Sequence, residues 1–424
     1  MPVCRRTQCP PPPPRTHPTP PIPAGLEGLF DELGPYHIVP GTTTLYANPY
    51  TWNNFSSILY LESPAGVGYS YCDTAACLQS NDTTTAADNL AAVQWFFDQW
   101  PQYRANDFYI TGESYAGIYV PMLALAVWEA NQGSPNPIAL KGIMVGNGCI
   151  GTEAGVCSRT LLASFRTRLQ DWRGHGLVPL NLYMAAEAAC GDWVTNTTAC
   201  WRAFTTAAAA TSAHIDIYDM YGPCHYNYTA VATSNEELEA AAASIDAGAV
   251  LTTPLAHAWR VPPPLGAWGP VNCLDAGDIT AYLNQPAVVA ALHAVSPLTW
   301  IVCTANISYT KTMTDERAVV YPTLLEAAHL RVLIFNGEAD ACVPWADNEA
   351  WTLSMNYTIA APWRAWMWDP DNVGGYITQF TVDGGANATF AFTTVRGAGH
   401  MVPQYQPQAA WSMANRFINN LPWY

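Results

Sequence analysis

Lysine is nearly missing from this chain of 424 residues, occurring only at Lys141 and Lys311, and the formal net charge is −16. Nucleic-acid binding needs a basic face to meet phosphate, so nucleic acid is excluded as a partner class. No apolar run reaches the ~18 residues of a membrane span. The twelve cysteines contain no doubled C-x-x-C pattern of the zinc-binding kind, and no metal or cofactor is expected. A secretory leader is lacking too. Residues 1–24, MPVCRRTQCPPPPPRTHPTPPIPA, are proline-rich and basic, with no apolar h-region. There is no internal repeat.

What is present speaks for an oxidising, glycosylating compartment. N-x-S/T sequons stand at Asn54, Asn81, Asn196, Asn227, Asn306, Asn356 and Asn387, more than chance supplies in a cytosolic chain of this length. The spacings Cys72…Cys77, Cys149…Cys157 and Cys190…Cys200 suit local disulfide loops, and Cys224–Cys273 is a longer candidate staple. Such bridges persist in the secretory pathway. The leaderless opening contradicts that compartment, and the contradiction calls for an explanation.

Along the chain, SILYL (57–61) reads as a short apolar strand running into the glycine-rich loop ESPAGVGYSY. Asn81 and Asp82 offer N-caps for a helix whose stripe is Ala86, Leu90, Val93, Phe97 and Trp100. DFYIT (107–111) is a strand, and Tyr115 to about Asn131 a helix that Pro121 should bend or restart. ALKGIMVGNG (139–148) is a buried strand ending in glycine. From about 150 to 275, alanine-rich helical pieces alternate with cysteine and proline, which reads as a helical insertion. The strand-and-helix rhythm resumes at 279–295 and continues in RVLIFNGEADACVP and TFAFTTVRGAGHMVP. The expected class is α/β, as one large domain over 25–424 behind an irregular segment at 1–24.

The stretch FYITGESYAG (108–117) carries Ser114 in a G-x-S-x-A-G string, close to the strand-to-helix elbow that exposes a nucleophilic serine. Alone, the string equally fits a tight turn with a surface serine. Two further strand ends carry Asp340 and His400, and the order Ser…Asp…His is that of an α/β-hydrolase triad. Ser114 would attack a carbonyl, His400 would take and return its proton, and Asp340 would orient the imidazole. Glu113 is an odd neighbour for a nucleophile. It becomes useful when protonated and donating to an anionic substrate group, and a second acid at Glu32 would help to hold that proton. By itself, Glu32 is equally readable as a solvated acid near a turn.

Six strings, in order, resemble the serine carboxypeptidase family: GLEGLFDELGPY (25–36), NPYTWNNFSSILYLESPAGVGYSY (48–71), NDFYITGESYAGIYVP (106–121), KGIMVGNG (141–148), LIFNGEADACVP (333–344) and GAGHMVPQYQP (397–407). The resemblance implies an α/β-hydrolase with a mostly parallel central sheet and a helical cap. It also implies removal of single residues from peptide C-termini at acidic pH, in vacuoles, lysosomes or outside the cell. Ser114, Asp340 and His400 match the family's triad. Glu32 and Glu113 match two acids that bind the substrate's terminal carboxylate, and the Tyr115 backbone N–H matches one oxyanion donor.

The resemblance breaks upstream of LEGLF, where the family carries a tryptophan-leucine-asparagine-glycine-glycine-proline-glycine-cysteine string and this chain has PTPPIPAG. A second oxyanion N–H, an asparagine that grips the terminal carboxylate and a cysteine partner for Cys303 go with it, as should the first strands of the sheet. Losing one oxyanion donor costs about 10²–10³ in rate. The opening therefore reads as an incomplete N-terminus, with leader and motif encoded upstream, in preference to a shortened product of impaired activity. Two rival functions remain at this level. An acyltransferase of the same family would use the same triad, although those enzymes tend to carry aspartate where this chain has Glu113. The other is an inactive peptide-binding homologue.

Overall fold

The computed structural model describes residues 25–423 except 75–77, 152–156, 158–160, 194–196, 213–214, 223–275, 296–297, 305–306 and 383–388. The strands are β1 (Tyr36–Ile38), β2 (Leu45–Ala47), β3 (Gln79–Asn81), β4 (Phe108–Glu113), β5 (Leu140–Gly146), β6 (Ser308–Thr310), β7 (Arg331–Gly337), β8 (Thr358–Asp369), β9 (Asn372–Thr381) and β10 (Thr389–Val395). The first helices are α1 (Gly25–Glu27), α2 (Asp82–Gln99), α3 (Ala116–Asn131), α4 (Leu161–Gly174), α5 (Leu180–Cys190) and α6 (Thr198–Ser212).

One six-stranded sheet organises the chain, in the order β4-β5-β7-β10-β9-β8. Its first four strands are parallel, and β9 and β8 continue it antiparallel. Near-continuous apolar runs in the parallel strands show why: they are covered on both faces. Ile143, Val145, Val332, Ile334, Phe390 and Phe392 point to one side, against Val93 and Phe97 of α2 and Leu123 and Val127 of α3. Met144, Leu333, Phe335 and Ala391 point to the other, against Met413 and Phe417 of the helix Pro407–Ile418. Each such side chain contributes roughly 1.5–3 kcal/mol on full burial.

The helical insertion is seen as α4, α5 and α6. Phe165 and Phe204 stack with centroids 3.9 Å apart, and Ala341, Cys342 and Val343 of the sheet domain join the same buried cluster. The expected bridges Cys149–Cys157 and Cys190–Cys200 are both formed, the second tying α5 to α6. Cys77, Cys224 and Cys273, and the sequons at Asn196, Asn227, Asn306 and Asn387, lie outside the described residues. Asn54 and Asn356 are exposed, and Asn81 is half-buried.

Three local expectations are corrected. Residues 57–61 form no ladder, although Ile58 and Leu61 pack into the buried clusters on opposite faces of the sheet. An apolar run reports burial, whereas a strand also needs a hydrogen-bonding partner. Trp100 leaves the α2 stripe and is 38% exposed, because the helix stops at Gln99 ahead of Pro101. It rests on Phe96 instead, at 5.2 Å between ring centroids. Residues 279–295 hold two short helices, Gly277–Leu283 and Pro286–Ala291, and no strand. Pro121 sits inside an unbroken α3.

The start of α2 follows the sequence closely. Asn81 Oδ1 accepts from the Thr84 N–H at 2.8 Å, and the Thr84 hydroxyl accepts from the Asn81 N–H at 3.0 Å, closing a capping box. Asn81→Ala is expected to lower stability by about 1 kcal/mol in urea titrations. Asn81→Asp loses the sequon equally but keeps the capping oxygen, so it should stay near wild type. Equal losses in both variants would mean that the cap is not the cause.

Candidate active site

The turn that carries Ser114 is built by close packing of small residues. β4 ends at Glu113, and Ser114 follows with φ +61°, a strained left-handed conformation for a side-chain-bearing residue. A Cβ on Gly112 would lie 2.6 Å from the Ala116 Cβ, which explains how alanine is accepted where the usual elbow has glycine. The glycine is moved one place on. A Cβ on Gly117 would lie 2.0 Å from the Cys149 carbonyl oxygen, so α3 starts hard against the chain leaving β5. Hydrogen bonds hold the turn from both sides: the Ser114 N–H donates to Gly146 O at 3.0 Å, and Ser114 O accepts from the Cys149 and Gly117 N–H groups, both at 2.9 Å. Tyr115 caps α3, where first-turn N–H groups lack intrahelical acceptors.

Asp340 and His400 are brought together beyond the ends of β7 and β10. His400 Nδ1 lies 2.6 Å from Asp340 Oδ2, and both residues are buried. The same Oδ2 accepts from Asn147 Nδ2 at 2.7 Å, while Oδ1 accepts from the Cys342 N–H at 2.7 Å. Asn147 is itself pinned, with its side-chain oxygen accepting from the Gly337 N–H at 2.9 Å and its own N–H donating to Phe335 O at 2.8 Å. The carboxylate thus has donors on both oxygens and one face left for the imidazole. Cys342 is buried, and burial pushes its thiol well above the usual range.

From the cap side, a short segment spans both loops. The His400 N–H donates to Tyr218 O at 2.6 Å, the Ala341 N–H to Ile217 O at 2.9 Å, and the Met220 N–H to Ala339 O at 2.9 Å. The Tyr218 ring lies against the imidazole, 4.7 Å between centroids. Asn147 and Tyr218 escape sequence reasoning. The only signal for Asn147 is an asparagine between two glycines at a strand end.

Glu32 and Glu113 share a side-chain hydrogen bond. Burial raises Glu32 to about 7, against the opposing pull of the Glu113 hydrogen bond and of His400. Burial also raises Glu113 well above the carboxylate range, followed by the charges of Glu32 and Glu27 and the shared hydrogen bond. The pair therefore holds a proton one residue from Ser114. Glu27, on α1, is a third buried acid here, raised by burial and then by Glu32 and Asp31.

The serine carboxypeptidase family matches residues 21–420. The chain belongs to that family. It is 31% identical over 421 residues to serine carboxypeptidase 1 of Hordeum vulgare, covering 93% of this chain and 81% of the relative. It is 32% identical over 412 residues to the lysosomal protective protein of Mus musculus, covering 94% and 82%. In fold it is similar to a prohormone-processing carboxypeptidase from Saccharomyces cerevisiae, with a TM-score of 0.64 at 16% identity over 94% of this chain and 81% of that one. The expected α/β-hydrolase architecture holds, and the chain is a serine-type carboxypeptidase, a hydrolase acting on peptide C-termini. Among the described residues, no helix is long and apolar enough to cross a membrane, and no group of His, Cys, Asp and Glu is arranged to hold a metal ion.

Proposed function

We propose that this carboxypeptidase removes single residues from free peptide and protein C-termini through an acyl-enzyme, working at acidic pH in the secretory pathway. Ser114 attacks the last peptide carbonyl, and His400 takes its proton and returns it to the leaving amino acid. Asp340 holds the imidazole and offsets its charge, and the Tyr115 N–H is one donor to the oxyanion. Water then repeats the sequence on the acyl-enzyme and restores Ser114. Glu32 and Glu113 receive the substrate's terminal carboxylate through the proton they hold.

The observation that carries this reading is the hydrogen-bonded acid pair beside Ser114. A hydrolase indifferent to a free carboxylate gains nothing from a neutral acid there, whereas an exopeptidase needs such a donor. The mouse relative is named lysosomal, and the two formed disulfides fit an oxidising compartment.

The test compares an N-blocked dipeptide with its C-terminal amide near pH 5. Ser114-dependent release of the last residue from the free acid alone is expected. Equal cleavage of both would overturn the carboxylate-reading role of the pair. Transfer of the acyl group to an added alcohol without hydrolysis would make the chain an acyltransferase. A folded protein that binds the peptide and cleaves neither form would be an inactive peptide-binding homologue.

A further inference from the structure

Asp82 is the first residue of α2, a position where an acid usually faces solvent and favours the helix dipole. Here it is 1% exposed and turned inward. Its Oδ1 accepts from the phenols of Tyr115 and Tyr309, each at 2.8 Å. Its Oδ2 accepts from the Thr312 N–H at 2.5 Å, the Met313 N–H at 2.6 Å and the Thr312 hydroxyl at 3.2 Å. The parallel pairing of β3 with β6, Ser80 with Tyr309 and Asn81 with Thr310, brings these donors to the carboxylate.

Of these donors, Tyr115 is the one next to the nucleophile. Its ring is fixed on several sides: edge-on to Tyr309 at 5.5 Å and Tyr119 at 5.0 Å, with Lys311 Nζ 5.1 Å from its centroid. The peptide plane between Ser114 and Tyr115 carries the N–H assigned above to the oxyanion. That plane follows the strained Ser114, and strain of this kind persists only where surrounding contacts over-determine it. The main chain on the β5 side supplies one set of contacts. The anchored Tyr115 side chain supplies the other.

We propose that Asp82 is a positioning residue that, through the Tyr115 phenol, sets the direction of the oxyanion N–H. The inference rests on the proposed function for Tyr115. It makes Tyr115 serve the site twice: main chain on the reacting carbonyl, side chain on a carboxylate behind it.

Tyr115→Phe removes only the phenol hydroxyl and keeps the ring. Removing an oxyanion donor outright costs about 10²–10³ in kcat, so misdirecting one is expected to cost about 10-fold, with KM unchanged. Affinity for a peptide aldehyde, whose adduct carries the oxyanion, should fall by the same factor, while affinity for the N-blocked amino-acid product stays constant. Tyr309→Phe is the control, since it takes the other phenol from the same Asp82 oxygen without touching the elbow. Its kcat should stay within two-fold of wild type, whatever happens to Tm.

The inference is overturned if Tyr115→Phe lowers Tm alone, or if both variants lose kcat equally. A fluorophosphonate that labels Ser114 places its P=O oxygen against the same donor, so its labelling rate gives the same comparison without peptide turnover. A tenfold slower labelling in Tyr115→Phe would uphold the inference even if free acid and amide were cleaved alike, and unchanged labelling would overturn it. The two readings can therefore fail separately.

Discussion

Asp340→Asn is expected to lower kcat by about 10⁴-fold while leaving KM within a few-fold. The reason lies in how completely Asp340 is surrounded. Oδ2 meets Asn147 Nδ2 and His400 Nδ1, and Oδ1 meets the Cys342 N–H. An asparagine must place its amide NH2 at one of those two oxygen positions. At the first, NH2 opposes the Asn147 NH2 and drives His400 into the tautomer that cannot accept the Ser114 proton. At the second, it opposes a main-chain N–H in a buried site, at the cost of an unmade hydrogen bond of ~1–3 kcal/mol. Measuring kcat and Tm together separates the two outcomes. A loss under tenfold with Tm unchanged would remove Asp340 from the proposed triad.

The second large effect is on pH dependence. Glu32, raised to about 7 by burial, and Glu113, also raised by burial, hold protons in acid that the pair begins to lose as pH climbs. Burial favours the neutral form of both acids in the folded site, so the pair is fully protonated in acid and Glu32 ionises as pH passes about 7. The peptide's terminal carboxylate then meets a like charge on Glu32. KM for a free-acid substrate should accordingly rise at least tenfold between pH 5 and pH 8, with a smaller change in kcat. Glu113→Gln keeps a donor at every pH and removes the partner that couples to Glu32. Its KM should be within a few-fold of wild type at pH 5 and below wild type at pH 8. If KM stays flat with pH in the wild type, the pair does not read the carboxylate. Stability should follow the same sign: two raised carboxyls cost nothing below the ordinary carboxylate range and progressively more as pH passes it.

Much of the fold was legible because parallel strands covered on both faces leave unbroken apolar runs. VLIF in β7 and GIMV in β5 need no long-range information to be read as buried strands. The antiparallel edge was harder. β8 pairs with β9 through four register irregularities, which scramble the in-out alternation along Thr358–Asp369. SILYL misled for a different reason: Ile58 and Leu61 pack half-buried against the clusters, but no described residue pairs with the stretch in a ladder. Capping at Asn81 was visible because a capping box is completed within four residues.

The chemistry divides along the same line. From sequence alone came the types and order of the proposed reacting groups, a serine on a crowded turn and then an acid and a histidine after later strands, because each depends on its own few neighbours. The oddity of Glu113 beside the serine raised the acid pair, but its carboxylate-binding role came through resemblance, since Glu32 and Glu113 belong to segments far apart in the chain. Tertiary structure alone decided that Asn147 supports Asp340 across 193 residues, that Tyr218 of the cap lies on His400, and that Glu32 and Glu113 share a buried hydrogen bond. Those roles arise from desolvation and from donors converging across the sheet ends, and neither quantity is a property of any short stretch of chain.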